Sequence, residues 1–419
     1  QTMQTWSKDR LLSPYRVLDL SDEKGTICGY ILAQLGAEVI KVESPRGGDE
    51  RRRGPFSEGV ESAEKSLFWT AFNSGKKGVT LDLESSDGRE IFKKLVRKTD
   101  IVLESFRPGY LKNLGLDYSA LNALNQGVVM VSITPFGQTG PFSTYEGPDL
   151  VVTALSGYLY LCGDTDRAPV RVTYPLSYGY AATNAAAAAL VALYERETSG
   201  VGQHVDVSAQ ESMTEFTLMA PTFWDAMRKI PRRAGQSRGG GSVSIRDTWE
   251  CKDGWVAFSI YGGEFGGRMN KMLIDWINSE GLAPEQMRNL DWYNLDMAKV
   301  SDDVVVQIEK CIGNFFERHT RTELFEGCME RGINLCPVWT APDLLDFVQL
   351  NERNYWVDAD HPELGKTLKH TGPFFSSTEV DGFMMHPAPQ IGQHNNEVYS
   401  ELLNYSETEI HALKKEGVI

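Results

Sequence analysis

Few residues of this sequence stand at a spacing that does chemistry by itself. The turn Ser21-Asp22-Glu23-Lys24-Gly25-Thr26 is the first candidate. A dinucleotide site needs GxGxxG there, so that the backbone can approach a pyrophosphate. This turn offers three charges and one glycine, so NAD is not expected. Glu43 sits near the place of a ribose-binding acid but reads as a strand-end acid. Asp149 stands directly before the apolar run Leu150-Val151-Val152, where an acid either caps a helix or serves as a nucleophile. Asp164 and Asp166, in a turn after Gly163, read as solvated loop acids. Arg232, Arg233, Arg238 and Gly239-Gly240-Gly241 form a basic, glycine-rich loop. It suits a mobile lid over an active site or a flexible surface loop equally well. The 7 histidines and 6 cysteines show neither a CxxC nor a metal-ligand spacing, so no metal site is expected. The thiols read as buried and free in a reducing cytoplasm.

These residues must be positioned by regular elements, and the first third of the chain supplies them. Arg16 to Leu20, Ala37 to Glu43, Ile101 to Glu104 and Val128 to Thr134 read as strands. Gly25 to Leu35, Gly88 to Val96 and Tyr118 to Leu124 read as the helices between them. Such alternation means βαβ units and a parallel sheet, with ligands outside the carboxyl ends of the strands. Ala181 to Tyr194 (AATNAAAAALVALY) is a helix of small and apolar residues without a polar stripe, which predicts burial. The strand-like Gln203 to Val207 follows it. After about Pro221 the texture changes. Trp249 to Ile260 reads as two strand-like arms around the turn Cys251-Lys252-Asp253-Gly254. Helical segments then run to about Arg331, a loop-rich tail starts at Cys336, and the helix Glu407 to Lys415 closes the chain.

The 419 residues allow two or three domains, and 41% hydrophobic with 24% charged residues is globular composition. A net charge of −15 argues against nucleic acid and anionic membranes as partners. No uninterrupted apolar run approaches the roughly 18–20 residues of a membrane helix, and Gln1 to Arg10 carry no signal-peptide core. Trp6, Trp69, Trp224, Trp249 and Trp292 are compatible with an aromatic substrate but read first as packing residues.

Several long segments carry a resemblance. RVLDL, LGAEVIKVESPRGGDERR, NSGKKGVTLDL, ESFRPGYLKNLGLDY, ITPFGQTGP and GPDLVVTALSGYL occur in this order. ERETSGVGQHVDVS, CKDGWVAFS, HPELGKTLKHTGP and PAPQIGQHNNEVY follow. From about Arg16 to Ile419 the chain resembles the class III CoA-transferases, or CaiB/BaiF family. The resemblance implies an α/β fold: a Rossmann-like large domain built from both chain ends, a smaller α+β domain between them, and an interlocked dimer. It places the large domain at residues 1–220 and 345–419, and the small domain, with the Gly239-Gly240-Gly241 loop, at 221–344. It implies covalent catalysis, in which a carboxylate attacks an acyl-CoA, forms a mixed anhydride and then an enzyme-bound thioester, and passes CoA to a second acid. CoA and acyl-CoA are then substrates, with no permanently bound cofactor. The family's adenine and phosphate contacts correspond here to Ser44, Arg46, Leu81, Ser105, Phe106 and Lys112.

The same resemblance exposes departures. Counting back from Glu197-Thr198-Ser199-Gly200 puts Tyr178 where the family's nucleophilic Asp belongs, and Tyr174 to Tyr180 contains no carboxylate. A phenol with a pKa near 10 cannot form an acyl anhydride. Asp22-Glu23-Lys24 puts charges where the family has an apolar or Gln-containing turn. Ser105 replaces an Asn, and Asn113 replaces a phosphate-binding Arg, with Lys112 beside it as a substitute. The racemase branch of the family pairs a catalytic His with its Asp, and here the dipeptide is Pro148-Asp149, so α-proton exchange has no base. The expectation is a cytoplasmic subunit without its own nucleophile, paired with an Asp-bearing paralogue and moving CoA from succinyl-CoA to a carboxylic acid. An active homodimer using Asp149, and a CoA-binding protein without catalysis, are the alternatives.

Overall fold

A computed structural model describes residues 11–238, 244–297, 299–378 and 386–419. They group into two compact units. One holds the residues up to 156, 172–216 and 348 to the end, and the other holds 157–171 and 217–347.

The first unit is built on six parallel strands: β1 (Arg16–Asp19), β2 (Glu38–Glu43), β3 (Lys77–Thr80), β4 (Ile101–Glu104), β5 (Val129–Thr134) and β6 (His204–Ser208). Their order is β3-β2-β1-β4-β5-β6. The chain moves outward in one direction from β1 and in the other from β4, so the carboxyl ends of β1 and β4 flank the topological switch point, where such sheets bind ligands. Strands this apolar must be covered on both faces. Val17, Leu103, Val131 and Ile133 pack with Cys28 and Leu32 of α1 (Thr26–Gln34) on one face. Leu18, Val102 and Met130, their neighbours in the strands, face the other way and meet Phe92 and Leu95 of α3 (Ser86–Val96), which follows α2 (Leu67–Asn73). The C-terminal helices Asn395–Leu403 and Glu407–Lys415 complete that second face through Val398, Tyr399 and Ile410. Asn395 ties them to β3, accepting the Thr80 N–H at 2.9 Å and donating to Thr80 Oγ1 at 2.8 Å.

The unit also holds α4 (Tyr110–Asn113), α5 (Tyr118–Leu124), α6 (Asp149–Leu155) and α7 (Leu176–Ser199), with α8 (Ala209–Phe216) after β6. The alanine face of α7, Ala181, Ala185, Ala189 and Ala192, packs into the first face of the sheet. The expected burial holds for that face only. Val191 and Tyr194 on the other side are 68% and 79% exposed. The sequence lacks a polar stripe here because the uncovered face is apolar too. Although no long run of apolar residues was expected, α7 is long and apolar enough to cross a membrane by length and composition, with half of its apolar window buried.

In the second unit, β7 (Ser237–Arg238) pairs with β8 (Ile245–Arg246), and β9 (Thr248–Cys251), β10 (Gly254–Phe258) and β11 (Leu335–Pro337) form an antiparallel sheet in the order β11-β10-β9. Trp249, Phe258, Phe315 and Phe316 form its core. Four cysteines are buried, but Cys162 is half-buried and Cys336 is exposed. Cys336 alternates outward between Leu335 and Pro337 on β11, which corrects the expectation of buried thiols. The tail holds an unexpected hairpin in the first unit, β12 (Trp356–His361) with β13 (Lys366–Thr371).

Candidate active site

The β1–α1 turn occupies the switch point and is held from below by buried charges. Asp19, the last residue of β1, accepts the Ser21 N–H at 3.0 Å and the Ser21 hydroxyl at 2.5 Å. Its other oxygen meets Lys76 Nζ at 2.8 Å. Lys41, from the middle of β2, donates to the Ser21 carbonyl and pairs with Glu50 at 2.8 Å. All four charged groups are almost fully buried. Burial works to raise the Asp19 pKa, but Lys41 and Lys76 outweigh it and hold the carboxyl below its ordinary value. Gly25 is required where the turn enters α1, since a Cβ there would lie 2.6 Å from Ser21 Cβ. None of this network was singled out in the sequence. The available signal was Lys41 inside the apolar strand AEVIKVE, because a buried lysine must be paired.

Above the network, Asp22 and Ser105 join the turn to the end of β4. The Asp22 N–H donates to Ser105 Oγ at 2.8 Å, and that hydroxyl donates to Asp22 Oδ1 at 2.7 Å. Lys24 adds its backbone N–H to Asp22 Oδ1 at 3.0 Å and its amine to Oδ2. Glu23 pairs with Arg53 at 3.2 Å. The charges of this turn are therefore engaged with one another and with Ser105.

A cavity of about 270 Å³ opens beside them, lined by Glu23, Lys24, Arg53, Ser105, Phe106, Glu146, Asp149 and Tyr178, among others. Tyr178 lies in the first turn of α7 and is 5% exposed. Its hydroxyl donates to the Gly147 carbonyl. Burial pushes its pKa well above the ordinary phenol value, and the carboxylates of Asp22, Glu23, Asp149 and Glu146 push it further. A protonated phenol locked onto a backbone carbonyl is no acyl acceptor.

Asp149, the fallback nucleophile, also lines this cavity. It is the first residue of α6, yet it caps α7 instead of its own helix. Its Oδ1 accepts the Ser177 N–H at 2.9 Å and the Ser177 hydroxyl at 2.8 Å. A helix N-terminus leaves backbone N–H groups without intrahelical partners, and this carboxyl satisfies one of them, which favours the capping role. Glu146 is a further cavity carboxylate that the sequence did not single out.

Of the residues expected to hold CoA, Ser105 and Phe106 line this cavity. Lys112 lines a neighbouring one of about 520 Å³, together with Arg107, Tyr118, Glu104, Ser132 and His204. Ser44 and Arg46 follow β2, and Leu81 follows β3. They share the carboxyl rim of the sheet but line neither cavity. Arg46 and Lys112 are exposed and have no ion-pair partner among the described residues, which leaves them available to phosphates. Asn113 is exposed at the end of α4. Gly239, Gly240 and Gly241 lie outside the described residues.

Residues 12–395 match the model of CoA-transferase family III. The chain is 35% identical over 414 residues to the succinyl-CoA:(R)-benzylsuccinate CoA-transferase subunit BbsE of Thauera aromatica, covering 97% of this chain and 98% of that protein. It is 29% identical over 415 residues to the succinyl-CoA–D-citramalate CoA-transferase of Chloroflexus aurantiacus, covering 98% of each. The crystal structure of a CaiB/BaiF family protein from Brucella suis superposes with a TM-score of 0.80 at 26% identity, over 94% of this chain and 100% of that one.

Proposed function

The chain belongs to CoA-transferase family III, and from that premise we propose that it is the subunit of a heteromeric CoA-transferase that lacks the nucleophile. The observation that carries this is Tyr178. In this reading the family's Asp position falls on Tyr178, a buried phenol, protonated and bonded to the Gly147 carbonyl. An acid-to-phenol replacement removes the anhydride route from this chain's own cavity. The turn Asp22-Glu23-Lys24 and Ser105 support the same reading, because their groups satisfy one another instead of facing a thioester.

The partner is a paralogue that carries the Asp, and the donor is succinyl-CoA, which the names of both relatives share. One of those relatives is itself named a subunit. The uncovered apolar faces fit an interlocked pair. In the first unit these include Val191, Tyr194 and Phe216, and in the second Leu218, Met219 and Trp224, each at least 49% exposed. Surfaces of that kind are covered in a stable assembly. Within it this chain supplies scaffold and its glycine-rich loop, and the partner supplies the reacting carboxylate.

Reconstitution tests the proposal. The purified chain should transfer no CoA from succinyl-CoA, and mixing or co-expression with the Asp-bearing paralogue should restore transfer. Full activity of the isolated chain would overturn it in favour of an active homodimer.

A further inference from the structure

Glu104, at the carboxyl end of β4, is the register partner of Ser132 on β5, and His204 begins the neighbouring strand β6. The Ser132 hydroxyl contacts His204 Nε2 at 2.8 Å, and from the adjacent register position it acts as a donor on the Glu104 carboxyl, lowering its pKa. An ionised carboxylate only accepts, and a hydroxyl has one proton. Ser132 therefore donates to Glu104, and His204 Nε2–H donates to Ser132. Ser132 is fully buried, Glu104 is 4% exposed, and His204 lies at the solvent-facing edge strand, stacked on Tyr118. On its other side, Glu104 Oε2 accepts the Phe106 N–H at 2.8 Å. We propose that these three residues form a proton relay from the sheet edge to Glu104, and that Glu104 positions the Ser105–Phe106 turn according to its charge. The link to CoA rests on the function proposed above, and the relay itself does not.

The setting calls for such a group. Glu104 has no ion-pair partner among the described residues, and a buried carboxylate without one is costly. Lys24, from the β1–α1 turn, is the cation that acts on it, but its amine is held by Asp22. Asp206 on β6 repels it. Arg107, Lys112 and Asp117 share the 520 Å³ cavity that Glu104 lines. Burial accordingly raises the carboxyl to about 7, against the hydrogen bonds from Ser132 and Phe106. His204 is held below the ordinary imidazole value by desolvation, opposed by Asp206 and Asp117, so it passes protons on without storing one.

The transfer balances. A solvent proton binds His204 Nδ1, the Nε2 proton moves to Ser132 Oγ, and the Ser132 proton moves to Glu104. Glu104 ends neutral, and His204 ends as the other neutral tautomer. The Phe106 N–H then faces a neutral acceptor, so a charge-assisted bond becomes an ordinary one and the turn loosens.

Carbon-13 NMR of the full chain labelled at glutamate carboxyls tests this, with Glu104→Gln assigning the resonance. Glu104 should titrate near pH 7, and the Phe106 amide should move with the same midpoint. Ser132→Ala should raise that midpoint and uncouple the His204 ring shifts from it, while Ser132→Thr should restore both. If Ser132→Ala does not fold, the wild-type chain still tests the relay: the His204 ring shifts should follow the Glu104 midpoint, and ring shifts that ignore it overturn the relay. A Glu104 midpoint at 4–5, or a Phe106 amide that ignores it, overturns the relay. CoA affinity should fall as pH drops below 7. A titration near 7 without any CoA binding upholds the relay and overturns only a residual CoA site on this chain, not its proposed place as a subunit.

Discussion

Ser105 and Asp22, 83 residues apart, exchange two hydrogen bonds across the switch point of the sheet, at 2.7 and 2.8 Å. In the reading proposed above, both are departures from the family's pattern. Each departure explains the other: a carboxylate in the β1–α1 turn needs a donor, and the hydroxyl at the end of β4 provides one while also accepting the turn's N–H. The result is a self-satisfied crevice. The two residues should therefore be energetically coupled. Asp22→Ala and Ser105→Ala should each cost about 1–2 kcal/mol in urea denaturation, the partial exposure of Asp22 holding the figure down. The double variant should cost less than the sum by at least about 0.5 kcal/mol. Strict additivity would show that the pair is incidental.

Tyr178→Phe should leave the activity of the assembled enzyme nearly unchanged, because no proton or acyl group passes through the phenol. It should still lower stability by about 1–2 kcal/mol, since the Gly147 carbonyl loses its buried donor. A loss of turnover well beyond the loss of folded protein, measured in the reconstituted complex, would give the phenol a role in chemistry.

The buried charges beneath the turn should be intolerant of single changes. Lys76 meets Asp19, the Asn73 side chain and the Thr26 carbonyl, all within 2.9 Å. Lys76→Met leaves Asp19 with half its compensation, and a loss of about 3–5 kcal/mol is expected in thermal or chemical unfolding. A change below about 1 kcal/mol would mean that water enters the cluster freely.

Glu104 makes stability depend on pH. Its folded-state pKa of about 7 is raised above the ordinary 4.5. The folded protein therefore holds this proton more tightly than the unfolded chain. The resulting stabilisation is complete below about pH 4.5 and is lost as pH rises through 7, on the order of 3 kcal/mol in all. Glu104→Gln should remove that slope, so that wild type loses stability relative to the variant between pH 4.5 and 7. Parallel stability curves across this range would contradict the assignment.

CoA should bind this chain alone more weakly than micromolar, because Asn113 offers phosphate no guanidinium. Asn113→Arg should tighten binding by about 10–150-fold, the equivalent of roughly 1.5–3 kcal/mol. Calorimetry showing micromolar affinity in the wild-type chain would mean that the site is still in use.

Much of the sheet was legible because its strands are local apolar runs: VLDL, EVIKVE, IVLE and VMVSIT announce themselves without reference to anything distant. β3 was missed, since Lys77-Gly78-Val79-Thr80 is too short and polar to stand out. The hairpin of β12 and β13 was hidden in the same way by His and Lys residues. Tyr178 as a residue to weigh was legible through the family resemblance. Its bond to Gly147, the capping of α7 by Asp149, the Asp22–Ser105 pair and the Glu104–Ser132–His204 chain were not. Each joins residues 28 or more positions apart, and which hydroxyl meets which acid is decided by strand register, not by local pattern. The half-exposed α7 misled for a related reason. An apolar face left uncovered looks in sequence like one covered by its own core.

The central claim is that the acyl group never resides on this chain, and hydroxylamine trapping tests it most directly. The reconstituted enzyme would be incubated with succinyl-CoA and hydroxylamine, digested, and searched by mass spectrometry for hydroxamates on both subunits. The account predicts a single modified carboxylate, the paralogue's Asp at the position equivalent to Tyr178, and none on this chain. A hydroxamate on Asp149, or on Glu23 or Glu146 in the same cavity, would contradict it and make this chain a nucleophile in its own right.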